Sequence, residues 1–94
     1  MLKIKSKDVE GSVKSSIRIS IEYDLEASDA KWIFLGKIIE DSRDYRIESF
    51  EEDGVRKEDL IIDFMRSALQ GIYTVQVEKN GCINSETVYV SLSA

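Results

Sequence analysis

Apolar and polar side chains alternate with a period of two residues in several separate stretches of this 94-residue chain. The clearest stretch places Ile17, Ile19 and Ile21 on one side of an extended backbone and polar side chains on the other. Successive side chains of a β-strand point to opposite faces of a sheet, so each stretch predicts a strand with one buried face. Several such strands separated by turn residues predict an all-β antiparallel sandwich of two sheets.

The C-terminal part of the chain predicts a β-hairpin. One alternating stretch begins at Tyr73 and another ends at Leu92, and Asn80-Gly81 lies between them. Asn-Gly readily adopts the positive φ angles that a two-residue hairpin turn requires. Upstream, the apolar stretch 31–35 predicts another strand, followed by a turn at Gly36-Lys37.

The N-terminal segment predicts an edge strand. Lys3, Lys5 and Lys7 lie on one side of an extended backbone, and Leu2 and Ile4 lie on the other. Lysines on an edge strand oppose pairing with other chains, which is the structural interpretation of this pattern. A functional basic stripe is the alternative.

The segment from Glu58 to Gln70 supports two interpretations. Its apolar residues recur at helical spacing, with Gly71 as a C-cap, but Leu60, Ile62 and Phe64 also fit the spacing of a strand. A helix here would predict an α+β fold and would favour a small enzyme or regulator. Local periodicity does not choose between them.

Longer-range spacing favours the strand. The chain reads L-x-I-x-x-M-x-x-x-L-x-G-x-Y, carried by Leu60, Ile62, Met65, Leu69, Gly71 and Tyr73. This pattern resembles immunoglobulin domains of the I-set type, in which an apolar strand leads through a short helical turn into D-x-G-x-Y. Trp32 follows Ile21 by eleven residues, which is similar to that family's step from the strand B cysteine to the buried tryptophan of strand C. The resemblance covers nearly the whole chain and implies an immunoglobulin-like Greek-key sandwich.

The resemblance also implies a structural core. A tryptophan at position 32 would fill the space between two sheets about 10 Å apart. Tyr73 resembles the tyrosine-corner residue, whose hydroxyl bonds to backbone near the preceding turn. The predicted core residues are Ile21, Trp32, Leu60, Ile62, Tyr73 and Val75.

Three departures from the family pattern refine the expectation. The two cysteine positions correspond to Ile21 and Val75, so aliphatic packing would replace the inter-sheet disulfide. Leu69 replaces the acidic residue, so its usual ion pair, for which Arg43 or Arg46 would be candidates, cannot form. The proline that many relatives carry between strands B and C is missing. Domains of intracellular muscle proteins such as titin, obscurin, myomesin and twitchin often lack the disulfide.

Composition argues against several function classes. The chain has no histidine, which removes the commonest general base and the commonest transition-metal ligand. Its only cysteine, Cys82, is expected near the end of strand G and is expected to be inert, because the sequence shows no histidine or close basic cluster that would activate a thiol. The net charge of −5 argues against nucleic-acid binding, and no apolar run approaches the ~18 residues of a membrane span. No catalytic residue, cofactor, metal or small-molecule substrate is predicted.

All of the excess negative charge lies between Glu40 and Asp59, which hold nine acidic and four basic residues. The cluster Glu48, Glu51, Glu52 and Asp53 lacks the ligand spacing of a calcium loop. It predicts a solvated loop between strands D and E. It is also a candidate partner-binding acidic face that would attract a basic protein.

These patterns predict a non-catalytic structural and protein–protein interaction module. We expect one domain, 1–94, from a multidomain cytoskeletal or sarcomeric protein of the cytoplasm. Its expected partners are neighbouring immunoglobulin-like domains or filament proteins, bound through the acidic face or a free sheet edge beside Lys3 to Lys7. The alternative is an extracellular or bacterial-surface adhesion or receptor domain that lacks its disulfide.

Overall fold

The computed structural model describes residues 2–93, which form nine β-strands and one 3₁₀ turn at Ser67–Leu69. The strands are β1 (Leu2–Ile4), β2 (Asp8–Gly11), β3 (Ile17–Asp24), β4 (Lys31–Phe34), β5 (Lys37–Ile38), β6 (Tyr45–Glu52), β7 (Val55–Ile62), β8 (Gly71–Lys79) and β9 (Cys82–Leu92). None of the helices in the described part of the chain is long and apolar enough to cross a membrane.

The strands form two sheets packed face to face, so the prediction of an all-β sandwich is confirmed. The four-stranded sheet has the order β1-β3-β7-β6, and the five-stranded sheet has the order β2-β9-β8-β4-β5. Every neighbouring pair is antiparallel except β2 and β9, which are parallel.

The N-terminal segment differs from the single edge strand that the lysine pattern predicted. Its first half, β1, pairs with β3 in one sheet, and its second half, β2, crosses to pair with β9 in the other. Because β2 covers β9, the last strand offers no free edge there. The edges of the two sheets are β1 and β6, and β2 and β5.

The core lies between the sheets and is mainly aliphatic around one tryptophan. Trp32 on β4 lies opposite Val75 on β8 and is 1% exposed. The six residues of the sequence-derived core are each no more than 2% exposed: Ile21, Trp32, Leu60, Ile62, Tyr73 and Val75. Burying an aliphatic side chain contributes about 1.5–3 kcal/mol, so this layer supplies much of the driving force for folding.

The segment 58–70 contains no α-helix, and the alternative of an α+β fold is wrong. Its first part belongs to β7, whose backbone pairs with β3 on one side and β6 on the other. Hydrogen bonding on both sides outweighs the local helical spacing, and Phe64, which a buried helical face would include, is 68% exposed. The helical element is the 3₁₀ turn alone.

Three two-residue hairpin turns have positive φ at both central positions. The predicted turn Asn80-Gly81 is confirmed, with φ angles of 53° and 79° between the paired Lys79 and Cys82. A second turn at Asp53-Gly54 joins β6 to β7. The turn expected at Gly36-Lys37 lies one residue earlier, at Leu35-Gly36, because Lys37 already pairs with Phe34.

Candidate interaction surfaces

The acidic cluster lies on an edge strand and not in a loop. Glu48, Glu51 and Glu52 belong to β6, and only Asp53 lies in the turn that follows. The expectation of a solvated loop was therefore wrong, although Asp53-Gly54 is itself a strong hairpin signal. Along β6, Glu48 and Glu52 project to the outer side of the sheet, while Glu51 has the opposite phase.

Two of these acids are engaged with basic side chains of the same sheet. Glu48 accepts hydrogen bonds from Arg18 at 3.3 Å and from Arg46 at 3.1 Å. Glu52 accepts one from Lys57 at 2.9 Å. Within residues 2–93, neither Glu51 nor Asp53 forms an ion pair. Half of the cluster's negative charge is therefore balanced by neighbouring basic side chains.

The arginines that the resemblance assigned to an ion pair with position 69 have other roles. Leu69 is buried, and Arg46 instead donates two hydrogen bonds to Asp63 through Nε and one through Nη2, all between 2.9 and 3.2 Å. The Arg46 guanidinium lowers the pKa of Asp63. Arg66 lowers the pKa of Asp44 in the same way.

Tyr73 forms the corner that the sequence predicted. Its hydroxyl donates to the backbone oxygen of Leu69 at 2.7 Å, and the hydroxyl of Tyr45 lies 2.8 Å away. Since the single proton of Tyr73 is used by Leu69, Tyr45 donates to Tyr73. Burial raises the pKa of Tyr73 well above its usual value, and the ring of Phe34 stacks on it with centroids 4.1 Å apart.

A buried carboxyl group, which the sequence interpretation missed, lies beside the core tryptophan. Glu58 is 5% exposed, and its Oε2 accepts the indole N–H of Trp32 at 2.6 Å. Its Oε1 accepts the hydroxyl of Tyr23 at 3.2 Å. Burial raises the pKa of Glu58, although both hydrogen bonds act in the opposite direction. Glu58 precedes Leu60 by two residues on the same strand, so both side chains point into the core. This spacing is the sequence signal from which the burial of Glu58 could have been predicted.

One part of the outer side of the five-stranded sheet is apolar. We define the apolar outer face as Ile33, Leu35, Ile38, Ile72 and Tyr89. Leu35 is 79% exposed, Ile72 63%, Ile38 60% and Tyr89 50%. Ile72 lies directly opposite Tyr89, and Ile33 lies opposite Ile38, so neighbouring strands supply neighbouring apolar side chains.

Charged residues occur only at the margins of this face. Across the sheet, Ile33 on β4 lies beside Thr74 on β8, and Thr74 lies beside Thr87 on β9. The middle of this face therefore carries no charge. Acidic residues Asp8 and Glu10 lie along the β2 edge, where Asp8 pairs with Tyr89. At the other side of the sheet, Lys31 on β4 shares the outward phase of this face, whereas the exposed Lys37 on β5 pairs with the buried Phe34 and has the opposite phase.

This architecture matches solved structures over almost the whole chain. A chain of the complex between Dpr2 Ig1-Ig2 and DIP-Theta Ig1-Ig3 matches with a TM-score of 0.88 and 16% identity over 99% of this chain. The titin tandem A164-A165 matches with a TM-score of 0.76 and 22% identity over 99% of this chain. The chain has an immunoglobulin-like fold.

The immunoglobulin-like domain accounts for only part of these two structures. It covers 32% of the matched chain in the complex of Dpr2 with DIP-Theta and 47% of the titin tandem. The complex of titin M10 with an obscurin-like 1 immunoglobulin domain also matches, with a TM-score of 0.71 and 10% identity. This match covers 98% of this chain and 93% of the matched chain. No known family model and no curated protein matches the sequence.

Cys82 is the one further side chain of this immunoglobulin-like domain that the sequence analysis considered for chemistry. Cys82 is exposed and is the first residue of β9, at the end that adjoins the Asn80-Gly81 turn. Among residues 2–93, no three histidine, cysteine or acidic side chains cluster closely enough to hold a metal ion. Two side-chain surfaces therefore stand out: the charged outer side of the four-stranded sheet and the apolar outer face.

Proposed function

We propose that this domain is a non-catalytic protein-interaction module of a cytoskeletal or sarcomeric multidomain protein, and that it binds through the apolar outer face. The observation that carries this proposal is the group of exposed apolar side chains on adjacent strands of the five-stranded sheet. Contiguous apolar patches on a folded surface are typical of interaction sites. Aromatic and aliphatic anchors with a polar margin are the usual composition of such a site.

The muscle assignment has two supports. The core contains Ile21 and Val75 where the resemblance expects cysteines, so it needs no oxidising compartment. Titin domains are also among the structures that share its fold. We propose neighbouring immunoglobulin-like domains or filament proteins as partners and the cytoplasm as the location.

An adhesion or receptor domain is the second candidate function. It is favoured by the higher TM-score of the match to a chain of the complex between Dpr2 and DIP-Theta, in which two immunoglobulin-domain proteins bind each other. Microscopy of the tagged full-length parent separates the two candidates. Label aligned with filaments inside permeabilised cells supports the first, and label on unpermeabilised cells supports the second.

The binding surface is tested by placing a photo-crosslinking amino acid at position 72 of the full-length parent. A protein captured there is then purified and titrated against the wild-type domain and an Ile72→Lys variant. We expect the substitution to weaken binding at least about tenfold, since it places a charge at the centre of the interface.

The matched control is Ile83→Lys. Ile83 is 64% exposed and lies on the same side of β9, but it is opposite Glu78 near the hairpin turn and outside the apolar outer face. We expect Ile83→Lys to bind within about twofold of the wild type. Equal affinity for the wild type and the Ile72→Lys variant would contradict the proposed surface.

A further inference from the structure

We propose that the second half of the β6 edge is a docking site for an extended basic segment of a partner protein, which pairs with Ser49 and Glu51 as a fifth strand of the four-stranded sheet. The apolar outer face belongs to the other sheet, so this inference goes beyond the proposed function. The open backbone of the edge carries the inference, and the local charge selects the occupant.

Strand β6 is the longest edge strand of the sandwich. It has eight residues, whereas the edge strands β1, β2 and β5 have three, four and two. One side of β6 pairs with β7 along its whole length, and the other side has no neighbouring strand within residues 2–93. Such an edge presents N–H and C=O groups that an extended segment of another protein can bind.

The register shows which backbone groups of β6 point away from β7. The two-residue turn 53–54 makes the residues on either side of it a hydrogen-bonded pair, so the even-numbered residues of β6 bond to β7 and the odd-numbered residues face the open edge. Two contacts agree with this pattern. The N–H of Ile47 donates to Oδ1 of Asp41 at 2.7 Å, and the backbone oxygen of Tyr45 accepts from the N–H of Ser42 at 2.8 Å.

The first half of the edge is therefore closed, and the second half is open. The backbone N–H and C=O groups of Ser49 and Glu51 have no partner among the described residues, and both residues are exposed. One added strand can form four hydrogen bonds with these four groups if it runs antiparallel to β6. Every neighbouring pair of this sheet has that orientation.

The charge around the open edge favours a basic occupant. Neither Glu51 nor Asp53 forms an ion pair within the described chain. The nearby ion pairs leave a further excess of negative charge, because five acids share three bases. The acids are Glu22, Glu48, Glu52, Asp59 and Asp63, and the bases are Arg18, Arg46 and Lys57. An incoming lysine or arginine is therefore attracted, and an incoming acid is repelled.

The side chains of β6 predict a pattern for the incoming strand. Phe50 points to the outer side of the sheet and is 50% exposed, so an apolar residue opposite it would cover its ring. The residues two places before and after that apolar residue lie on the same side, opposite Glu48 and Glu52. The site therefore fits a segment that reads basic-x-apolar-x-basic.

A second copy of β6 does not fit this edge. If Ser49 of each copy paired with Glu51 of the other, each Glu48 would lie directly opposite a Glu52. Like charges at opposite positions of neighbouring strands are destabilising. The same carboxylates that favour a basic strand therefore oppose pairing between two copies of the domain.

The first test uses an end-blocked peptide, Thr-Lys-Thr-Val-Thr-Lys-Thr, and the isotope-labelled 94-residue chain. Titration to about 10 mM covers the weak binding expected from four backbone hydrogen bonds. We expect the amide signals of Ser49 and Glu51 to shift in the NMR spectrum and their hydrogen exchange to slow, which contact through side-chain charge alone would not cause. Two amides unchanged at the highest concentration would overturn the proposal.

Two control peptides separate the backbone contribution from the charge contribution. N-methylation of the two threonines beside the valine removes the donors to β6 without changing the charge, and it should weaken binding at least about tenfold. Replacement of both lysines with glutamate should also weaken binding at least about tenfold. Full affinity of the methylated peptide would overturn the added strand, and full affinity of the glutamate peptide would overturn the basic occupant.

A protein variant tests the edge directly. Ser49→Pro removes an N–H that points away from β7, so the pairing within the sheet is retained, and far-ultraviolet circular dichroism verifies the fold. We expect this variant to bind the peptide at least about tenfold more weakly, and the matched Ile72→Lys variant to bind it within about twofold of the wild type. Equal binding by wild type and folded Ser49→Pro would overturn the proposal.

These results are separable from the proposed function. Peptide binding that is lost in Ser49→Pro, together with a crosslinked partner whose affinity is unchanged in Ile72→Lys, would support the present inference and contradict the apolar outer face as a binding surface. The reverse result would overturn the present inference and leave the proposed function intact.

Discussion

The indole nitrogen of Trp32 donates to a carboxylate oxygen of Glu58 at 2.6 Å inside the core. Tyr23 donates to the other carboxylate oxygen at 3.2 Å, so both acceptor atoms are engaged. Burial nevertheless disfavours the charged form of Glu58 and raises its pKa. The core therefore contains an acid whose deprotonation opposes folding.

Replacing Glu58 with glutamine should stabilise the domain at neutral pH. The folded-state pKa of Glu58 is raised above its unfolded value of about 4.3, so the folded state binds the extra proton and loses stability as pH rises through the folded pKa. Glutamine keeps one acceptor oxygen for the indole N–H of Trp32, its amide nitrogen can donate to the hydroxyl of Tyr23, and it never ionises. Denaturant unfolding at several pH values should show the advantage of Glu58→Gln growing above pH ~4.3.

The control for this measurement is Glu51→Gln, an exposed residue without an ion pair in the described chain. Its effect on the free energy of unfolding should stay within about 0.5 kcal/mol at every pH tested. A Glu58→Gln variant whose difference from the wild type did not change with pH would contradict the raised pKa.

Removing the hydroxyl of Tyr73 should destabilise the domain by about 1–3 kcal/mol. Tyr73→Phe leaves the backbone oxygen of Leu69 without its side-chain donor and Tyr45 without its acceptor. Tyr45→Phe removes one hydrogen bond only and should cost less. Urea denaturation of both variants measures the difference, and equal losses would show that the bond to Leu69 contributes little.

Gly71 should not tolerate alanine. Its φ angle is 142°, and an added Cβ would lie 2.9 Å from Cε1 of Phe34, in the ring that stacks on Tyr73. Gly71→Ala should cost about 1–3 kcal/mol and change the near-ultraviolet circular dichroism of the aromatic stack. Gly81→Ala is the control, since φ is also positive but no atom lies within 4 Å. An equal loss in both would exclude a role for the contact with Phe34.

Neutralising the acidic residues of β6 tests the candidate acidic face. Replacing Glu48, Glu51 and Glu52 with glutamine should slow association with a basic partner captured by crosslinking, and the slowing should shrink as salt rises. Replacing only Glu51 and Asp53 preserves the ion pairs to Arg18, Arg46 and Lys57 and isolates the effect of charge. Association rates that are unchanged in the triple variant at low salt would remove this face as a steering surface.

The sequence predicted the sandwich because inward residues such as Ile17, Ile19 and Ile21 reveal a strand whose other side is polar. It did not predict that β6 continues to Glu52, because an edge strand has little to bury and residues 48–54 are all exposed. The apolar outer face was missed for a related reason. The strands that carry Ile72 and Tyr89 were predicted from their buried side chains, and these two residues point outward from the same strands.

Glu58 shows the same limit inside the core. Its spacing from Leu60 places it inward, but its charge favours a surface position unless hydrogen-bond partners exist. Those partners, Trp32 and Tyr23, lie 26 and 35 residues away in the chain, and only the packed structure brings them together.

The parallel pairing of β2 with β9 has a mechanical consequence. Asp8 begins β2 and Leu92 ends β9, so tension applied through the two ends of the domain pulls these adjacent strands in opposite directions along their length. The hydrogen bonds between them, including the bond from Tyr89 to Lys7 and the bond from Ser93 to Gly11, are loaded together and not one after another. Rupture then requires several bonds to fail at once, so this pair of strands gives the domain resistance to stretching.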